Sequence, residues 1–376
     1  MPDNNNMKRC LLLLLFLPFF AYAESLYSSV WGFFIDLPAG YEYVDGNARD
    51  KFSFAGPAGV MFDLAVYSGN FGSINELLTE TNRRLDNRGS VDFFRYNDKD
   101  AAIVELIFRN YRGWALCIDL NKQDKKTLLL ALAYGPNETA DLDLMHVSAL
   151  DSICPTVEEK FFPGPIMEYS YPRGNAVGVT LKGGIKTNIR ENDAEAAQFL
   201  VEREYVICSY YINTNLWQEA WQRYYRLIYR DSWDRILIPV SAITVNMGSS
   251  RANTDEAKKL FTQRTLDYVQ SFVYERGSVI SDFQNLVTTV VQGKGDCDSR
   301  VMLWAIMLAQ ANIRAAMMVS PHYSHAMGLV DIEGAGARFE SHGTKWLVAE
   351  TTDNVDLGLI EQSVSDPKHW LGISFY

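Results

Sequence analysis

A helix that opens on a cysteine, followed by two strands carrying a histidine and an acid, constrains this chain more than any other stretch. Gly293-Lys294-Gly295 punctuates a turn, and Asp296-Cys297-Asp298-Ser299 follows it. Val301, Trp304, Ala305 and Leu308 then recur at the spacing that lays an apolar stripe along a helix. Cys297 is therefore expected in the first turn of a mostly buried helix. Unpaired backbone N–H groups and the positive end of the helix dipole lower a thiol's pKa there. Asp296 and Asp298 act in the opposite sense, because negative charge beside sulfur raises it. They must point away or be neutralised, or the base must work harder. As a calcium site, two carboxylates without more oxygen ligands are weak.

The base candidate is His325. Residues 325–332 read as a strand, with His325, Met327, Leu329 and Asp331 on one face and Ala326, Gly328, Val330 and Ile332 on the other. Gly334, Gly336 and Gly343 mark turns, and residues 346–351 read as a second strand with Glu350 near its end. An antiparallel pairing brings His325 and Glu350 out near the same end of the sheet. A thiolate–imidazole–carboxylate relay needs that arrangement. His322 competes as the base, and Asp331 and Asp353 compete as the acid, although Asp331 falls at the far end of its strand from His325. The backbone N–H of Cys297 and one side-chain donor would form the oxyanion hole, with Gln292 the nearest candidate.

Taken together these residues resemble the transglutaminase-like superfamily, in its bacterial transglutaminase-like cysteine peptidase branch. The matching stretches are Gln270-Ser271-Phe272-Val273-Tyr274, a helix beginning near Asp282, Gly295-Asp296-Cys297-Asp298-Ser299, His325-Ala326, and Trp346-Leu347-Val348-Ala349-Glu350-Thr351-Thr352. They span roughly residues 255–355, about a quarter of the chain. The resemblance implies a papain-like catalytic core with Cys297 as nucleophile, His325 as base and Glu350 as orienting acid. Many relatives carry Asp at the third position; Glu350 is one methylene longer and still able to orient an imidazole. The implied chemistry is acyl transfer through a thioester, with no cofactor and no metal. Water as acceptor makes the enzyme a cysteine peptidase or amidase acting on a protein, a peptide or a cell-wall peptide. An amine as acceptor makes it a transglutaminase. A vestigial triad makes it a binding or scaffold module.

The N-terminus reads as a targeting signal. Lys8 and Arg9 precede the apolar residues 11–20, and Ala21-Tyr22-Ala23 has the form of a cleavage site. The run is too short for an ordinary membrane span, and no later segment is long and apolar enough for one. Residues 1–23 are thus expected to be removed, leaving an exported chain, periplasmic or extracellular, with a net charge of −12 against −11 for the whole. No basic patch offsets that charge, which argues against nucleic acid as a partner. Cleavage leaves Cys117, Cys154, Cys208 and Cys297. Cys117 and Cys154 either pair in an oxidising compartment or stay as free buried thiols.

The expected class is α+β, in two parts. Residues 24–155 read as an N-terminal sandwich-like domain of meandering strands with helices on one face, similar in pattern to the PsbP-type α/β/α sandwich. Its strands are expected at 31–37, 60–67, 91–96, 101–109, 114–120 and 126–134, with helices at 73–85, opened by a capping box at Ser73, and at 138–152. Residues 156–175 read as a linker. Residues 176–376 form the transglutaminase-like part, a helical lead-in at 176–250 and a catalytic core at 251–376. Within it helices are expected at 193–211, 216–231 and 253–274, and a strand at 236–245. The aromatics Tyr205, Tyr210, Tyr211, Trp217, Trp221, Tyr224, Tyr225 and Tyr229 fit core packing better than a stacking platform for sugar or peptide.

Overall fold

The computed structural model describes residues 25–122, 124–277 and 280–375, so the apolar leader and its cleavage site lie outside the described residues. The fold is α+β. Among the described residues no helix is long and apolar enough to cross a membrane.

The first part is built on one antiparallel sheet of seven strands. Their spatial order is Glu42–Gly46, Lys51–Ala55, Met61–Ser68, Thr127–Pro136, Tyr111–Asp119, Lys99–Phe108 and Val91–Tyr96. The strands expected at 91–96 and 101–109 join in a hairpin, with Tyr96 opposite Lys99 and Asn97 at positive φ in the turn. Alternation sorts the side chains between the two faces. Leu128, Leu130, Ala115 and Cys117 lie under the helix Ile74–Leu85. Leu129, Ala131, Leu116 and Ile118 pack with Ala149 and Leu150 of the helix Asp143–Asp151. Helices therefore cover both faces, not one. Ser73 caps the first helix by accepting from the Glu76 N–H, while the Glu76 carboxylate reaches back to Gly72.

Three expectations are corrected. Residues 31–37 keep only the short strand Phe34–Ile35, paired with Leu26–Tyr27 and, at Phe34, with the backbone of Cys154. Residues 156–175 are not a linker. They contain the helix Pro165–Ser170, whose Ile166 and Met167 are buried and whose first N–H groups donate to the Asp151 carboxylate at 2.9 and 3.0 Å. Residues 236–245 are not a strand but the second half of one long helix, Trp217–Met247. Ile236, Val240 and Ile243 are fully buried there at helical spacing, and Ile238 and Val245 are exposed. Tertiary packing overrides the β-branched composition and the interior Pro239.

In the second part the helices Trp217–Met247, Asp255–Gln270 and Leu286–Gln292 pack around the helix Cys297–Ala309. That central helix is buried nearly all round and lies on a five-stranded antiparallel sheet. The strand order is Arg338–Ser341, Thr344–Ala349, His325–Val330, Ala315–Ser320 and Leu371–Ile373. Gly328 is required where the sheet meets the helix, because a Cβ there would sit 2.5 Å from the Trp304 ring.

A buried ionic network joins the two parts. Glu204, on the helix Asp193–Ser209, accepts from Arg203, Arg223 and Ser148 at 2.7, 2.9 and 2.9 Å. Arg203 also reaches Asp151, and Arg226 holds Asp36 with two bonds of 2.9 Å. Arg230 donates to the carbonyls of Asp151, Ile153 and Phe162. Buried charges of this kind tolerate no missing partner. Glu204→Ala leaves two buried guanidinium groups short of a counter-charge, and the expected loss is about 3–5 kcal/mol of stability by urea denaturation. An unchanged urea midpoint would contradict this role for Glu204.

Candidate active site

The residues before the cysteine decide where it sits. A two-residue parallel bridge pairs Val273–Tyr274 with Lys294–Gly295 and brings the end of the helix Asp255–Gln270 beside the glycine turn. That helix stops at Gln270, short of the expected Tyr274, because the chain must extend to make this bridge. Asp296 then caps the cysteine helix. One of its oxygens accepts from the Ser299 N–H and the other from the Gln284 N–H, both at 2.7 Å. Gly295 leaves room for this turn, since a Cβ would lie 2.4 Å from the Ser299 hydroxyl. The helix expected near Asp282 begins at Leu286, capped by Asn285.

Cys297 is the first residue of its helix and is 6% exposed. Its Sγ lies against the backbone N–H of Ala326, the residue after His325. His325 opens its strand, and Gly328 pairs with Ala349 in the antiparallel register expected. Glu350 follows directly, and its Oε2 is 2.7 Å from His325 Nε2. The other oxygen of Glu350 accepts from the Thr352 N–H and hydroxyl, at 2.7 and 2.6 Å. The Gln270 amide donates to the Glu350 carbonyl at 2.8 Å. With Nε2–H donated to the carboxylate, Nδ1 is left as the basic nitrogen of the ring.

Cys297 and His325 line one cavity of about 320 Å³ with Asp296 and Asp298. Tyr205, Trp221, Tyr224, Tyr225 and Phe283 form its aromatic wall, and Arg276 and Asp282 also line it. The aromatics therefore serve the core and the cavity together: Tyr224 and Tyr225 are buried, while Tyr205 is exposed. Among the described residues, none of the first part lines this cavity. The remaining candidates are elsewhere. Gln292 ends its helix exposed and outside the cavity, so it is not placed as an oxyanion donor. His322 stacks on His369 with ring centroids 4.0 Å apart, away from the cavity lining. Asp331 pairs with Arg314. Cys117 and Cys154 are both free and buried. Among the described residues no group of three or more His, Cys, Asp or Glu side chains is placed to hold a metal ion.

The electrostatics oppose a resting thiolate. Burial pushes the Cys297 thiol up, and Asp298 and Asp296 push it further. The Ala326 and Asp298 N–H groups favour the thiolate but do not reverse the balance. Burial also raises the Asp296 carboxyl, to about 6, against the hydrogen bonds from Ser299 and Gln284. Glu350 shifts the other way. Burial alone would raise it, but the His325 contact and the Thr352 hydrogen bonds leave it below the usual glutamate range. Two residues the sequence reading missed hold these groups in register. Gln270 ties the end of the glutamate strand, and Arg300 donates to the carbonyls of Gly295, Phe272 and Thr351 at 3.0, 2.9 and 3.3 Å.

No family model matches the chain, and no curated protein matches it. Among solved structures, a protein of Bacteroides thetaiotaomicron VPI-5482 is 12% identical over 59% of this chain and 78% of its own, at a TM-score of 0.24. A likeness of that size carries no argument about fold or function.

The lowered Glu350 carboxyl makes a pH prediction. A carboxyl depressed in the folded state stabilises the fold above its unfolded pKa, and that stability is lost as pH falls through the folded value. Melting temperature should therefore fall in wild type as pH drops through and below the ordinary glutamate range. Glu350→Gln should lose less across the same window. Parallel acid limbs in the two proteins would remove the His325–Glu350 contact from the account.

Proposed function

We propose that the chain is an exported thiol-dependent acyl-transfer enzyme of the transglutaminase-like type, acting as a cysteine peptidase or amidase on a protein or peptide, cell-wall peptides included. The observation that carries this reading is the 2.7 Å His325–Glu350 contact in the cavity that Cys297 also lines. A papain-like core places its cysteine at a helix start and its histidine on an adjoining strand, and the same placement here supports the resemblance. The apolar leader at residues 11–20 supports export. Cys297 rests as a thiol, so its proton leaves to His325 as the sulfur attacks, rather than beforehand. The sulfur adds to an amide carbonyl, the amine departs with the proton from the imidazolium, and water resolves the thioester. Hydrolysis is the simpler outcome because water needs no acceptor pocket; an amine acceptor would make the enzyme a transglutaminase.

A second reading is a binding module built on the same cavity. The raised Cys297 thiol is the observation in its favour. Acylation by p-nitrophenyl acetate separates the two. The enzyme reading expects one acetyl group on the Cys297 peptide by mass spectrometry, none in Cys297→Ala, and about 10²-fold slower acylation in His325→Ala. A wild-type Cys297 that stays unacetylated, or a rate indifferent to His325→Ala, moves the function to binding.

A further inference from the structure

We propose that Asp298 is the side-chain donor of the oxyanion hole, a neutral carboxylic acid that hydrogen-bonds the carbonyl oxygen as Cys297 adds to it. The inference rests on the acyl-transfer reading above. An oxyanion hole beside Cys297 has the backbone N–H of the cysteine at the helix start, where such groups lack an intrahelical acceptor. It needs a second donor, and Gln292 is outside the cavity.

Asp298 is inside it. The thiol donates toward Asp298 Oδ1 at 3.9 Å. A carbon bonded to the sulfur brings its oxygen to the side of the sulfur where this carboxyl sits, and a donor there has to close to roughly 2.7–3.1 Å of that oxygen. The protonation follows from the neighbours. Asp296 is buried and Asp298 half-buried at the head of one helix, and two carboxyl groups so placed do not both ionise readily. Both oxygens of Asp296 accept main-chain N–H groups, so the charge settles there. Asp298 has no main-chain N–H partner of that kind among the described residues; it meets the Tyr225 hydroxyl and the thiol. Burial, then Asp296 and Asp282, hold its carboxyl well above the usual aspartate range, while Tyr225 and Arg276 pull it down less. Tyr205, Cys208, Tyr224, Cys297 and His325 are the other titratable groups that line the cavity.

The step balances without a further reagent. The S–H proton passes to His325 and the sulfur lone pair forms the S–C bond. The carbonyl π pair moves to oxygen, where the Asp298 O–H and the Cys297 N–H hold it. On collapse that pair re-forms the carbonyl, the C–N bond breaks, and the imidazolium proton leaves with the amine. Asp298 keeps its proton throughout.

Two probes of one thiol test this. Iodoacetamide alkylates sulfur without forming an oxyanion; p-nitrophenyl acetate acylates it through one. The ratio of acylation to alkylation at Cys297 therefore isolates the oxyanion hole from thiol ionisation. Asp298→Ala is expected to lower the ratio about 10²-fold. Asp298→Asn keeps a donor of the same shape and should hold the ratio near wild type at neutral pH. It also covers the case in which the alanine variant does not fold. On raising pH the wild-type ratio should fall as Asp298 ionises, while that of Asp298→Asn stays flat. An unchanged ratio in a folded Asp298→Ala, or a pH-independent wild-type ratio, overturns the proposal. So does a wild-type thiol that is alkylated and never acylated, which leaves a reactive cysteine without a hole. A thiol inert to both probes removes the acyl-transfer reading as well.

Discussion

Arg300 is the charge on which the register of the site depends. It is 1% exposed and carries its guanidinium into the core. An interior cation must find acceptors, and Arg300 finds three carbonyls on three separate segments. Gly295 leads into the cysteine helix. Phe272 follows the helix Asp255–Gln270. Thr351 follows Glu350. The cation draws together the three backbone positions that flank Cys297 and Glu350. Asp296 completes the arrangement by capping the helix and fixing the segment at Gln284. Neither side chain needs to touch a substrate for the site to depend on it.

That division explains what the sequence made legible. That Cys297, His325 and Glu350 come together was readable because all three lie on elements with clear periodicity. Alternation and turn signals suggested two strands, and it is their antiparallel pairing that joins His325 to Glu350. The supporting residues were not readable. A buried arginine looks like a surface one until its acceptors are known, and Thr351 is 51 residues from Arg300. The strand Arg338–Ser341 was missed because it is polar and pairs only at the sheet edge. Residues 236–245 misled for the opposite reason. A run of β-branched residues carries β propensity, while its buried positions fall at helical spacing. Gln292 was chosen for nearness in sequence, and a helix C-terminus turns it outward.

The electrostatics of the nucleophile present a conflict between local and tertiary effects. A helix start favours a thiolate by modest partial charges. Burial and two neighbouring acids disfavour it, and they win. The same acids repel each other, and each carboxyl is held above the usual aspartate range. A cysteine kept as a thiol is protected from adventitious oxidation and alkylation, since the thiolate is the reactive form. The protonation of the sulfur is set by its surroundings, not by its position on the helix.

The described residues of the first part contribute nothing to the cavity lining, yet that part is not independent of the site. Arg223, Arg226 and Arg230 bind it through Asp36, Ser148, Asp151 and Ile153. These arginines alternate along one helix with Trp221, Tyr224 and Tyr225, which wall the cavity. One face of the helix is fixed by buried ion pairs, and another is presented to the space in front of Cys297. A shift of the seven-stranded sheet must therefore move the aromatic wall or break buried charge pairs, and the second is the costlier. The helix transmits position because its two faces share one backbone. The first part thus acts on the site as a rigid support for one wall, and the packed segment 156–175 removes the slack that a linker would have allowed.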